Sequence, residues 1–158
     1  MFEVGDKVVY PMHGAGVIEA IEEREILGES HQYYVMNLPI GNMKVYIPLS
    51  NVEQLGVRQV ISAGEVPHVM KILQEESTLP TLAWNRRYRA NMERIRSGDI
   101  YSVAEVVRSL SQRDKEKGLS TGEKKMYDNA YQILISELTL AEGVEPEEME
   151  EKLRQILA

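Results

Sequence analysis

The spacing of the apolar residues changes near residue 66, and this change limits the folds that the chain can adopt. Before it, apolar residues stand in short β-branched runs separated by turn residues, which is typical of strands. After it, they recur every three or four residues, as on the buried face of an amphipathic helix. The pattern predicts an α+β protein in which a β region precedes an all-α region.

The β region has apolar runs that alternate with turn segments rich in glycine, proline and asparagine. About five short strands in so short a segment predict a small, strongly bent barrel, because an open sheet of this size would leave its edges unpaired and one face bare. The runs are Val8–Tyr10, Val17–Ile21, Tyr33–Met36 and Val45–Ile47.

Helix signals divide the rest of the chain. Pro67 marks the start of a first helix that ends by Pro80, and capping boxes at Ser102–Glu105 and Ser120–Glu123 predict two more helix starts. Pro146 opens a last, acidic helix. A compact helical domain is therefore predicted.

We divide the chain into a barrel over residues 1–55, a linker over 56–65 and a helical domain over 66–158. Neither domain is large enough for a deep catalytic cleft. With no cysteine, and three histidines in different segments, we expect no metal site and no cofactor. We expect no enzyme activity, although a hydrolase with paired carboxylates is a remaining alternative.

Charge is distributed unevenly along the chain, whose net charge is −7. Residues 1–65 carry −5 and residues 140–158 carry −4, whereas residues 66–139 carry +2. An overall negative charge repels phosphate unless basic residues are gathered in one place. Any nucleic-acid contact is therefore expected from the middle of the chain.

The most basic segment is Trp84–Arg96, which has five arginines and one carboxylate. On a helical wheel the arginines fill one half of the helix, and an aromatic and apolar stripe lies on the other half. Guanidinium groups that point outward suit bidentate contacts with phosphate. A solvated basic face, paired with acidic residues nearby, is the alternative.

Trp84 has two interpretations. It aligns with the stripe that the wheel assigns to the core, where a tryptophan would anchor the packing. It also stands at or before the start of the helix, where the wheel need not apply, and an exposed indole beside arginines could stack on an unpaired base. Lys124, just after the second capping box, could add a phosphate contact at a helix N-terminus.

Three segments resemble the bacterial CarD family, and they occur in order along nearly the whole chain. They are Val4–Val17, with the sequence VGDKVVYPMHGAGV, Trp84–Asn91, with WNRRYRAN, and Val103–Arg108 together with Gly118–Lys124. The first segment resembles the polymerase-binding module of the transcription-repair coupling factor as well. The tryptophan-arginine segment makes the resemblance specific to CarD.

The resemblance implies a Tudor-like barrel that binds the β subunit of bacterial RNA polymerase, and a helical domain that contacts promoter DNA at the upstream edge of the transcription bubble. It implies that Trp84 wedges into the minor groove there, and that basic residues such as Arg86, Arg89 and Lys124 hold the backbone. Arg87, in the same basic segment, is a further predicted DNA contact.

On the barrel, the resemblance implies polymerase contacts at Arg24 and Ile26, and at Tyr46, which stands where other members have a second arginine. The expected protein is a transcription regulator that stabilises the open promoter complex. It would act as a monomer in the cytoplasm, associated with the nucleoid through polymerase and with no membrane partner. The alternative is a protein adaptor on polymerase in which Trp84 is a core residue and DNA contact is minor.

Overall fold

The computed structural model describes residues 1–76 and 83–158, and its N-terminal module is a single antiparallel sheet. The strand order is β4-β3-β2-β1-β5. Leu27 and Gly28 form the turn between the second and third strands, and both have positive φ, as a two-residue type I′ hairpin turn requires. The strands are β1 (Lys7–Tyr10), β2 (Gly14–Ile26), β3 (Glu29–Leu38), β4 (Met43–Pro48) and β5 (Arg58–Gln59).

One face of the sheet encloses a small apolar core. The segment between β4 and β5 contributes Val52 and Val57 to it and so covers the face that the strands leave open. The other buried members are Val8, Ile18, Tyr34, Met36, Leu38 and Ile47. The strands therefore form a covered module, as the predicted need to close a small sheet requires.

In the part of the chain that the structure describes, five α-helices follow the sheet: α1 (Val66–Gln74), α2 (Trp84–Arg96), α3 (Ile100–Lys117), α4 (Thr121–Glu142) and α5 (Pro146–Leu157). The predicted starts of the first, fourth and fifth helices are confirmed. Pro80, the predicted end of the first helix, lies outside the described residues, and α1 ends at Gln74. Within residues 1–76 and 83–158, every helix is too short or too polar to span a bilayer.

The predicted start of α3 is wrong. The helix begins at Ile100, where the Asp99 carboxylate accepts a hydrogen bond from the backbone N–H of Tyr101. The hydroxyl of Ser102 donates to the same carboxylate instead of capping a helix of its own. Asp99 is therefore the N-cap of α3. It follows Gly98, whose positive φ turns the chain just before the helix.

The helices share one core, separate from the core of the sheet. α3 and α4 form its centre, and α1, α2 and α5 pack against them. The largest fully buried side chains include Ile95, Leu110, Leu134, Ile135, Leu138, Met149 and Leu153. The predicted fold class, a β module followed by an all-α domain, is confirmed.

The sheet and the helical domain are in direct contact through α4. The backbone N–H of Ala15 donates to the Ser136 hydroxyl (2.9 Å), and Lys7 Nζ donates to the Leu140 carbonyl (3.1 Å). The segment predicted as a linker, residues 56–65, includes β5, which pairs with β1 in the sheet. The predicted linker thus includes a strand of the sheet.

Candidate nucleic-acid and polymerase interfaces

Trp84 lies on the surface at the first position of α2. It is 43% exposed, whereas Ile95, near the other end of the same helix, is fully buried. Tyr88 and Met92, between them, are partly buried. The apolar stripe of α2 therefore enters the core at its C-terminal end and leaves it at its N-terminal end, and the wheel alone could not show this.

The exposed indole of Trp84 is held in place by a ring contact and a hydrogen bond. Its ring stacks on Tyr88, with ring centroids 5.1 Å apart and planes 21° apart. Its Nε1–H donates a hydrogen bond to the Ser120 hydroxyl at 3.1 Å. A Cβ atom at Gly122 would lie 3.6 Å from Trp84 Cζ2, so the backbone of α4 also passes close to the ring. The indole is both accessible and fixed.

The first turn of α4 is organised around a buried carboxylate. Glu123, which is 2% exposed, accepts hydrogen bonds from Arg87 Nε (2.8 Å) and Nη2 (3.1 Å), and Arg113 Nε lies 3.8 Å away. The hydrogen bond from Arg87 lowers the pKa of the Glu123 carboxyl, against the opposing effect of burial. The ion pair joins α2 to α4 directly beside Trp84.

The arginines of α2 do not all point outward. Arg86, Arg89 and Arg96 are exposed, as predicted. The prediction is wrong for Arg87, which turns toward Glu123, and for Arg94, whose Nη1 donates to Asn91 Oδ1 at 3.2 Å. A wheel places side chains by angle only, and it does not include the acceptors that a long guanidinium side chain can reach.

The predicted DNA contacts therefore fall into two groups. Arg86 and Arg89 are exposed on α2, and Lys124 is exposed in the first turn of α4, the turn that contacts Trp84. The guanidinium of Arg87 is engaged by Glu123. The structure brings Trp84 and the first turn of α4 together, although 36 positions separate Trp84 from Ser120.

The three predicted polymerase contacts lie on one face of the sheet. Arg24 Cζ lies 4.2 Å from the centroid of the Tyr46 ring, within the range of a cation–π interaction. Ile26, two positions after Arg24 on β2, points to the same side and is exposed. Between Glu23 and Gln32 both faces of the β2–β3 hairpin are exposed, so Arg24 and Ile26 project from the module on an arm.

Two residues of the site had no functional role in the sequence interpretation. Ser120 and Glu123 were predicted only as a capping box, and the cap is present: the Ser120 hydroxyl accepts from the Glu123 N–H at 3.2 Å. Their contacts with Trp84 and Arg87 come from α2, far away in sequence. The sequence does contain one signal for these contacts. α2 has more arginines than carboxylates, so a carboxylate from another element is needed to pair with a buried arginine.

Comparison with known proteins assigns both regions of the chain. Residues 2–61 match the family model of the CarD-like/TRCF RID domain, and residues 68–154 match that of the CarD C-terminal domain. The chain belongs to the CarD family. Its sheet, with β5 included, lies within the first match, and the five helices lie almost wholly within the second.

One curated relative supports the assignment of this CarD-family chain, and one solved structure is similar in sequence to part of it. The protein named "Putative transcription factor YdeB" from Bacillus subtilis (strain 168) is 49% identical over 144 residues, which are 91% of this chain and 94% of YdeB. The solution structure of the 72-residue N-terminal domain of Myxococcus xanthus CarD is 32% identical, covers 37% of this chain and 79% of that domain, and has a TM-score of 0.33.

The family assignment fixes the broad role of the protein. The first domain is of the RID type, which fits the predicted Tudor-like module, and the protein is a transcription regulator of the kind that interacts with RNA polymerase.

Proposed function

We propose that this CarD-family protein stabilises the open promoter complex by binding RNA polymerase with its sheet and the upstream edge of the bubble with its helical domain. It acts without catalysing a reaction, as a monomer in the cytoplasm, and it needs no cofactor. The observation that carries the proposal is the exposed indole of Trp84, hydrogen-bonded to Ser120 at the start of α4, on a helix whose first two turns also carry the exposed Arg86 and Arg89.

In this proposal the sheet binds the β subunit of polymerase through Arg24, Ile26 and Tyr46. The exposed arm that carries Arg24 and Ile26 supports this assignment, because it can reach a partner without clashes from the rest of the module. The residues near it are acidic, and an acidic surface favours a protein over DNA as the partner.

The helical domain binds DNA through Trp84, with Arg86, Arg89 and Lys124 at the backbone. An indole that wedges into the minor groove stacks where bases separate, and such stacking contributes about 1 to 3 kcal/mol per base. A fixed ring loses little conformational freedom on binding, so more of this free energy is retained. The contact of Arg87 with DNA stays a prediction. Its guanidinium contacts Glu123, and this ion pair does not support a role at the DNA backbone.

Two weak contacts can give a specific complex when they act together. A net charge of −7 opposes binding to free DNA. Once the sheet is bound to polymerase, contact with DNA becomes effectively intramolecular, and its strength no longer depends on the concentration of free protein. The protein is therefore expected to contact the promoter only where polymerase is already bound.

The test is the lifetime of the open complex with Trp84→Ala. We expect the lifetime to shorten by about fivefold to 150-fold, the equivalent of about 1 to 3 kcal/mol of stacking. Ile21→Ala is the matched control: Ile21 is 44% exposed, on the sheet and away from α2, and its loss should leave the lifetime unchanged. Equal lifetimes for Trp84→Ala and the wild type, with polymerase binding intact, would refute the wedge.

The adaptor alternative, in which Trp84 is a core residue, makes a different prediction. Removal of a buried tryptophan costs about 3 to 5 kcal/mol of folding free energy. The exposure of Trp84 is against this alternative. A thermal melt of Trp84→Ala close to that of the wild type would exclude it.

A further inference from the structure

The Ser120 hydroxyl has all of its hydrogen-bonding capacity in use, and each bond serves the site around Trp84. It accepts from Trp84 Nε1 at 3.1 Å and from the Glu123 N–H at 3.2 Å, and it donates to Glu123 Oε1 at 3.4 Å. A hydroxyl has one donor and two acceptor sites, so no site is left for water. Donation to the carboxylate leaves the Ser120 oxygen free to accept from the indole N–H.

The carboxylate that orients Ser120 is itself fixed from α2. Arg87, which lies three positions after Trp84 in α2, donates two hydrogen bonds to Glu123. A chain of hydrogen bonds thus runs from Trp84 in α2 through Ser120 and Glu123 to Arg87, which is again in α2. Its members lie at the N-terminal ends of both helices, where Trp84 leaves the core.

We propose that Ser120 is a positioning residue for Trp84, which holds the indole in its DNA-binding orientation through the hydrogen bond to Nε1, with Glu123 and Arg87 holding Ser120. This inference rests on the proposed function, since it assigns Ser120 a role in the wedge. Stacking on Tyr88 still allows the ring to slide or turn in its own plane, whereas the hydrogen bond to Ser120 fixes the direction of Nε1.

The chain contains a single tryptophan, so intrinsic fluorescence reports on Trp84 alone. In Ser120→Ala we expect a lower fluorescence anisotropy for the indole and stronger quenching by acrylamide. We also expect an open-complex lifetime about two- to tenfold shorter, which corresponds to the net contribution of one hydrogen bond. Ser120→Thr, which keeps a hydroxyl, should restore both.

Loss of the helix cap must be separated from loss of positioning, because Ser120 also caps α4. Asp99→Ala is the matched control: it removes the cap of α3, away from Trp84, and should lower the melting temperature without a change in indole fluorescence or open-complex lifetime. If Asp99→Ala changes the indole signal as much as Ser120→Ala does, the effect is one of helix stability and the inference is overturned.

A double-mutant cycle tests the coupling itself. In a Trp84→Phe background there is no indole N–H, so Ser120→Ala should cause no further loss of open-complex lifetime. Additive losses would overturn the inference.

If Trp84→Ala leaves the lifetime unchanged while Ser120→Ala still frees the indole in fluorescence, the wedge fails but the positioning of Trp84 by Ser120 stands. If Trp84→Ala shortens the lifetime and Ser120→Ala changes neither signal, the positioning fails alone.

Discussion

At the scale of single residues, Glu123 links Ser120 to arginines of two other helices. Its carboxylate is buried and contacts arginines from two other helices, Arg87 in α2 and Arg113 in α3. Removal of one partner from a buried ion pair leaves the other without compensation, which costs more than the pair contributes. Glu123 therefore matters for stability as well as for the orientation of Ser120.

We expect Glu123→Gln to lower the free energy of unfolding by about 3 kcal/mol at neutral pH, because a neutral amide cannot replace the charged contacts that the buried carboxylate makes with Arg87 and Arg113. Arg87 is 15% exposed, so little water can replace the carboxylate. Urea denaturation measures the difference. Glu53→Gln is the control, since Glu53 is exposed on the sheet module and its removal should have little effect.

The pH dependence of this difference has a definite sign. Folding lowers the pKa of Glu123 from its ordinary value of 4.5, so its contribution to stability is complete above that pH and is lost as the pH falls through the folded value. The gap between wild type and Glu123→Gln should therefore shrink in acid. A gap that is constant down to pH 3 would contradict an ionised Glu123 in the folded protein.

At the same scale, sequence reasoning found Trp84 but not its environment. Its position after the break at Pro80 and before the arginines showed that the helical wheel need not apply to it. The hydrogen bond to Ser120 joins residues 36 positions apart, and only the packing of α2 on α4 determines it. Arg87 could not be told from Arg86 for the same reason: the acceptor that turns it inward comes from another helix.

At the scale of elements, α2 combines a core face with a basic end. Arg86 and Arg89 lie within its first two turns, next to Trp84, whereas Arg96 lies at its last position, roughly 10 Å beyond Arg89 at 1.5 Å per residue. The basic charge that can reach DNA with Trp84 is therefore confined to one end of the helix.

We expect a double variant, Arg86→Gln with Arg89→Gln, to weaken contact with promoter DNA regardless of its sequence. Each lost phosphate contact should reduce the slope of log K against log salt concentration by about 0.9, so the double variant should lose roughly 2. Binding to the polymerase–promoter complex at several salt concentrations measures the slope. Arg96→Gln is the matched control, and an equal loss of slope for it would contradict the assignment of these contacts.

Elements were predicted well where local signals decide them. Proline marked the starts of α1 and α5, and the Ser120 cap marked the start of α4. The start of α3 was misplaced because Ser102 and Asp99 both offer caps, and sequence alone does not say which forms. The β2–β3 arm was missed as a separate feature, although the run from Glu22 to Gln32 is mostly polar and cannot cover a core.

At the scale of the whole molecule, Arg58 connects the two modules. From β5 it donates to both carboxylate oxygens of Glu137 on α4, at 2.7 Å each, and to the Gly98 carbonyl between α2 and α3. Glu137 is 1% exposed and also accepts from the Ile61 N–H at 2.9 Å. The sequence pattern predicted only a linker here, because the partner of Arg58 lies 79 positions away.

We expect Arg58→Ala to destabilise the protein by about 3 to 5 kcal/mol, since the buried carboxylate of Glu137 loses both guanidinium hydrogen bonds and keeps the one from the Ile61 N–H. The thermal transition should also broaden or split, because the modules have separate cores and lose their strongest polar connection. Calorimetry measures both effects. Arg24→Ala removes an arginine whose contacts, with Glu22 and Tyr46, lie at the surface, and it should melt like the wild type. A single unshifted transition in Arg58→Ala would refute the coupling.

If the sheet binds polymerase and the helices bind DNA as proposed, the connection through Arg58 makes the protein a spacer between these two surfaces. If the sheet is seated on polymerase, the indole reaches one particular distance from that seat, whatever bases are there. Adjacent base pairs are about 3.4 Å apart along the duplex. In a promoter whose strands begin to separate one base pair nearer to polymerase or farther from it, the indole of Trp84 would not meet the point of strand separation. The response of a promoter to this protein would then follow the geometry of its melting, and not a recognition sequence.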